Sequence, residues 1–355
     1  MSNFNKGEWS EIYTILFLLI YPDLVIANSK LNAIAKDLYK LKEIKRTDSF
    51  NGVFEYILKG NDVEIHNNDK LEYVISLIEL NENKNKILQA INNAPSGDGA
   101  FEIEGIDGLL YKLTKGEKLK AKSLSKEDLE AIVHDFRLGR DADLKYSIKS
   151  SLGRPATLLN SSQRTNFLYS VEGLSDEQAA EINAIDTSSK LLDRIKLIEK
   201  YGGVIKFEKV TDEIFDYNLK MIDSKMPEYL GNAILDSYIK NEKNLKELFL
   251  NSNQFSDSAF AMKKLGQFLE AVSFGFFPGK KWDGFNEVNG GLLIVKSNGN
   301  VVVLDLVYYR KEVLNYIIEE TKLDTPSTTR YHQLELSRKG DKHQFTLNLQ
   351  VRYKK

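Results

Sequence analysis

The segment DLKYSIKS (143–150) alternates strictly: Asp143, Lys145, Ser147 and Lys149 fall on one face of an extended strand, and Leu144, Tyr146 and Ile148 on the other. A strand with an apolar back belongs in a layered fold of helices on sheet. Its front has chemistry as well. A carboxylate can hold a divalent cation, and a lysine can position an attacking water and a phosphate. Edge strands also expose Asp and Lys, so the surroundings decide what the pattern means.

Outward from this strand, TNFLYSV (165–171) reads as a second strand and Lys126–Val133 as a short helix. FEIEGIDGLLYKL (101–113) reads as short strands after a loop, APSGDGAF (94–101). Residues 29–42 and 70–92 show helical spacing, and so does most of 175–274, with Gly202-Gly203 as a helix stop. GGLLIVKSNGNVVVLDLVYY (290–309) is a hairpin by its SNGN turn. A helix over 311–322 and a last strand in HQFTLNLQVRY (343–353) complete the chain. The fold class is α/β (α+β): a core lobe over 1–205 with the central strand, and a second lobe over 206–355, largely helical, ending in the hairpin and last strand.

The opening KGEWSEIYTILFLLIYPD reads as a helix ended by Pro22. Glu8, Glu11, Ile12, Ile15 and Leu19 share one sector about 100° wide, so two acids lie on an apolar face. Acids there are costly unless paired or bound to metal, although the helix dipole favours acids in a first turn.

Composition narrows the chemistry. The 355 residues are 42% hydrophobic and 28% charged, as in ordinary globular proteins. Zero cysteines exclude disulfides, thiolate metal sites and cysteine nucleophiles. No signal-peptide pattern opens the chain, and the apolar run Ile12–Tyr21 is about half a membrane span, so a cytoplasmic protein is expected. The net charge of −2 argues against non-specific nucleic-acid coating. Two local basic runs stand out: six lysines against Glu117 over 112–126, and seven Lys/Arg against Glu335 and Asp341 over 326–355. Such patches suit a cleft that grips phosphates, and they also suit solvated loops.

Several sites are excluded. GFFPGKKW (275–282) is too short between its glycines for a phosphate loop and lacks the Ser or Thr. No GxGxxG or GxSxG occurs. His66, His134, His332 and His343 form no close-spaced ligand pair. Asp141 and Asp143 begin like a calcium loop that Lys145 and a missing glycine break. Asp283 with Lys296 reads as structural. Carboxylate–lysine chemistry with a hard metal survives. Ser147 stands where a nuclease hairpin usually places a second acid, so the missing charge must come from elsewhere, with Glu8 and Glu11 the natural source.

Three motifs in order, KGEWSE (6–11), YSIKSSLG…TLLN…TNF (146–167) and TPSTTR…LNLQVRY (325–353), resemble the HpaII family of type II restriction endonucleases over residues 5–353. The resemblance implies a PD-(D/E)XK fold and Mg²⁺-dependent cleavage of double-stranded DNA at CCGG, after the first C. The ends would be 5′-phosphate and 3′-hydroxyl. By the same resemblance, Asp143 takes the place of the fold's conserved aspartate, Ser147 that of its usual Glu or Asp, and Lys149 is the motif lysine. The expected metal ligands are Asp143 with Glu11 or Glu8, and Glu172 is a remote third source. Base or phosphate contacts are expected from Arg154, Arg330, Tyr331 and His332, then Asn160 and Asn166, since arginine addresses guanine O6 and N7. A cognate DNA methyltransferase is the implied functional companion, and a palindrome admits a homodimer. The alternatives are a repair or nicking nuclease, a non-catalytic DNA-binding module, and a helical scaffold.

Overall fold

The computed structural model describes residues 3–48, 51–95, 97, 99–115, 126–328 and 330–354. Two compact units interleave in sequence. The first takes 1–156 and 286–316, and the second takes 157–285 and 317–354. The boundary expected near residue 205 falls inside the second unit.

Helix α1 (Lys6–Ile20) opens the first unit. The Asn5 side chain accepts from the Glu8 N–H, and the Glu8 carboxylate accepts from the Asn5 N–H, a reciprocal cap. The helix stops at Tyr21 (φ −119°, ψ 78°) because a residue ahead of proline is pushed out of helical geometry. The short strands β1 (Ile26–Ala27) and β2 (Ala33–Ala35) follow. Next is a meander of β3 (Tyr39–Asp48), β4 (Gly52–Lys59), β5 (Asp62–Asn67) and β6 (Lys70–Ser76). Helices α2 (Leu77–Asn93) and α3 (Asp107–Thr114) then lead to β7 (Leu129–Asp135) and β8 (Arg140–Ser150).

The second unit begins with β9 (Thr157–Leu159) and β10 (Asn166–Glu172), then α4 (Asp176–Ala184), α5 (Lys190–Lys200) and β11 (Val204–Val210). Helices α6 (Glu213–Ile222), α7 (Met226–Ile239), α8 (Leu245–Leu250) and α9 (Ser258–Phe274) follow. The chain then returns to the first unit for the hairpin β12 (Gly291–Val295) and β13 (Val301–Asp305). It re-enters the second unit along α10 (Arg310–Glu319) and ends in β14 (Thr321–Leu323), β15 (Ser337–Lys339), β16 (Lys342–Asn348) and β17 (Val351–Tyr353).

The first unit is built on a mixed sheet of ten strands in the order β2-β1-β13-β12-β8-β7-β3-β4-β5-β6. β8 sits inside it, parallel to β12 and antiparallel to β7. The approach of β12 depends on glycine. A Cβ on Gly290 would meet the Tyr146 ring at 2.7 Å, and Gly291 has φ +120° with the Leu304 carbonyl 2.0 Å from where a Cβ would be. α1 packs on β3, β8 and β13 and against α2. Trp9, Leu16 and Leu19 are fully buried, at about 1.5–3 kcal/mol each. In the second unit, one sheet runs β11-β10-β16-β15 and another β14-β17-β9. Among the described residues, no helix is long and apolar enough to cross a membrane.

Several local expectations are corrected. Residues 29–42 are not helical: β3 has a bulge between Leu41 and Glu43, which puts Leu41 and Ile44 on one buried side at a helix-like spacing. The span 70–92 is a strand and then a helix, divided at Ser76, whose hydroxyl accepts from the Glu79 N–H. Lys126–Val133 is the approach to β7 and most of that strand, with Leu129, Ala131, Val133 and Asp135 buried in alternation. FEIEGIDGLLYKL holds α3 in place of short strands. The last strand is two, β16 and β17, in different sheets.

Candidate active site

The alternation of DLKYSIKS is kept: Leu144, Tyr146 and Ile148 are buried behind β8. Ser147, on the opposite face, is also buried, at 2% exposure, because a carboxylate covers it. That carboxylate is Asp128. Its N–H donates to the Tyr146 carbonyl, which continues the β7–β8 ladder one step beyond Leu129. Its Oδ2 accepts from Ser147 Oγ at 2.9 Å and from the Ile148 N–H at 2.7 Å. Lys149 Nζ donates to Ser147 Oγ at 2.7 Å and to the Ile148 carbonyl at 3.1 Å, and lies 3.9 Å from Asp128 Oδ2. All these contacts fall on one oxygen of Asp128. Its Oδ1 has no hydrogen-bond partner among the described residues.

α1 brings Glu11 to the same place. Burial, then the Asp128 charge, push the Glu11 carboxyl up to about 8, against the pull of Lys149 and Arg46. Glu11 makes no hydrogen bond or ion pair among the described residues. A second lysine joins the cluster. Burial and the neighbouring Lys149 charge push Lys126 down to about 8, opposed by Asp128 and Glu287. The Lys126 N–H donates to Glu287 at 3.0 Å.

A raised carboxyl makes stability depend on pH. The folded protein holds this proton more tightly than the unfolded chain does. Without metal, stability therefore falls as pH rises from the ordinary value of 4.5 through about 8 and is flat for this group above that. Thermal melts in chelator should show that slope, and Glu11→Gln should flatten it. An unchanged slope in Glu11→Gln would place the titration on another group.

The structure thus gathers Glu11, Ser147 and Lys149 and adds Asp128 and Lys126, which the sequence reading missed. Asp143 is not brought to them. It is exposed opposite Ile132 on β7, beside Glu130 and Lys145, and about 20 Å along the strand from Lys149. Glu8 is engaged in the α1 cap. Glu172 belongs to the second unit and pairs with Lys206 and Lys342. The signal for Asp128 was present: an acid directly ahead of an alternating strand, 19 residues before Ser147.

The expected DNA contacts divide by exposure. Arg154, Asn160, Arg330 and His332 are exposed, His332 beside Glu335. Asn166 and Tyr331 are not surface groups. Asn166 bonds to Gln163 and Asn348, and Tyr331 bonds to Ser161, so their polar atoms hold the second unit together. Much of the basic charge is paired: Lys112 with Glu79, Lys115 with Glu72, Arg338 with Asp176 and Lys342 with Glu172. The lysines between residues 116 and 125 lie outside the described residues.

Among the described residues, no group of three or more His, Asp or Glu side chains surrounds a single ion position. The arrangement offers two carboxylates, one with a free oxygen and one without a partner. Magnesium is commonly held by one or two carboxylates, with waters and substrate phosphate completing its shell.

The family model described as HpaII restriction endonuclease matches residues 5–353. The chain is 34% identical over 360 residues to the type II restriction enzyme HpaII of Haemophilus parainfluenzae, covering 98% of each chain. No solved structure matches it.

Proposed function

The chain belongs to the HpaII restriction endonuclease family, as a type II site-specific deoxyribonuclease, and we propose that it cleaves double-stranded CCGG after the first C with Mg²⁺ held by Asp128 and Glu11. What supports the ligand assignment is an Asp128 Oδ1 with no hydrogen-bond partner among the described residues, beside Glu11, which has none there either and whose carboxyl, pushed up to about 8, holds a proton below that pH. A cation between them would remove both their repulsion and that proton. In this reading Asp128 takes the role expected of Asp143, and an acid ahead of one strand with Ser-x-Lys on the next supports a PD-(D/E)XK site.

The bound ion would supply Lewis-acid polarisation of the scissile phosphate and charge stabilisation. The protein does the positioning. Two of the three Lys149 protons go to Ser147 and the Ile148 carbonyl, leaving the third for the attacking water or the phosphate. Ser147 donates to Asp128 and accepts from Lys149, so it sets their separation and is no ligand itself. The Ile148 N–H fixes Asp128 from the β8 backbone.

Digestion of a sequenced plasmid with Mg²⁺, and separately with chelator, tests the proposal. The expected products have 5′-phosphate ends mapping to C/CGG, with no cutting in chelator. Ends at another sequence would overturn the site, cutting in chelator would overturn the ion, and nicks alone would favour the repair-nuclease alternative. Repeating the digestion with Arg330→Ala on sites carrying one substituted base assigns that arginine. Equal weakening on every sequence makes it a phosphate clamp, and relaxed discrimination makes it a base reader.

A further inference from the structure

A cavity of about 710 Å³ opens in the first unit between the last turns of α1, the middle of α2 and the tip of the β12–β13 hairpin. Tyr13 and Phe17 from α1, Tyr21 at its C-terminal end, Lys84 and Leu88 from α2, and Asn300 are among its walls. The volume is that of a small-molecule site. It opens on the other side of α1 from the catalytic cluster, since Tyr13 and Phe17 are turned roughly 200° and 240° around the helix from Glu11.

Lys84 is the unusual member. It is 6% exposed, yet it makes no ion pair among the described residues. Its Nζ has one long hydrogen bond, 3.4 Å to Tyr21 Oη, and stands 4.8 Å and 5.8 Å from the ring centroids of Tyr21 and Phe17. Cation–π contact recovers part of the cost of burying an ammonium. A lysine has three N–H donors, so two are left for whatever enters the cavity. The one carboxylate on the wall, Asp23, is exposed and forms no ion pair with Lys84. A buried cation without a counter-charge, next to aromatic faces, is complementary to an anion attached to a flat ring.

We propose that this cavity binds a small organic anion with a planar ring, of nucleoside-monophosphate size, its phosphate or carboxylate taken by Lys84 and its ring packed on Phe17 and Tyr21. The proposal does not depend on the catalytic assignments.

Isothermal titration of the full chain in chelator tests it, with 5′-dGMP and 4-hydroxybenzoate as ring anions and deoxyguanosine and inorganic phosphate as the separate halves. The expected result is saturable binding of a ring anion, at least tenfold weaker for either half. Lys84→Met keeps the apolar stem and should weaken binding about ten- to a hundredfold. Tyr21→Leu, at a half-exposed ring, should weaken it too. Lys149→Ala should leave it unchanged. The proposal fails if neither ring anion binds, if phosphate alone binds as tightly, or if Lys84→Met binds like wild type. It also fails if Lys149→Ala abolishes binding, which would put the ligand in the catalytic cluster.

Discussion

Lys149→Ala should give a protein that binds its DNA site and does not cut it, with the cleavage rate lower by about 10²–10³-fold or more. The substitution removes the ammonium that donates to Ser147 Oγ and lies 3.9 Å from Asp128 Oδ2. It does not undo that unit, because Ser147 and the Ile148 N–H still hold Asp128. The strand therefore keeps its place between β7 and β12, and melting should change little. Single-turnover cleavage and binding by fluorescence anisotropy separate the two effects. Near-wild-type cutting would show that the chemistry lies elsewhere. Loss of binding together with a collapsed melting temperature would make Lys149 a structural residue. Lys149→Arg should not rescue, since a broad guanidinium fork does not fit where an ammonium reaches one hydroxyl and one carbonyl.

Much of this site was legible in the sequence because it rests on short-range rules. The alternation in DLKYSIKS, the turn in SNGN and the stop at Pro22 each depend on a few neighbours, and each appears in the structure. Glu11 was legible for a different reason: an acid on an apolar helix face needs an explanation, and burial beside Asp128 supplies it. What failed was phase. The bulge at Leu41–Glu43 turns a strand pattern into a helix-like one, and it obscured the meander that widens the sheet. Over Lys126–Val133, where a short helix is expected, the residues alternate as a strand with Asp128 just ahead of it. The division into two units was beyond local reading, because the hairpin completing the first sheet lies more than 130 residues after β8, and only pairing register reveals that.

Asp128→Asn against Asp143→Asn is the decisive comparison for the metal site. Asparagine at 128 keeps an oxygen to accept from Ser147 and the Ile148 N–H and removes the charge, so folding should survive. Cleavage should fall by more than ~10²-fold, since residues that only support a metal ligand are already worth about 10–100-fold. Raising Mg²⁺ should recover part of the loss if Glu11 still holds the ion. Asp143→Asn should cut at close to the wild-type rate, because its exposed carboxylate faces Glu130 and Lys145 and not the Ser147–Lys149 pair. The reverse ranking would restore Asp143 as the ligand and make Asp128 a bracket for the β7–β8 ladder. A second readout needs no DNA. With Asp128 neutral, Glu11 loses the like charge that raises its carboxyl, so the metal-free loss of stability between pH 4.5 and about 8 should shrink. Asp143→Asn should leave that slope intact. A slope insensitive to Asp128→Asn would mean that the two carboxylates do not share a site, and no ion could then bridge them.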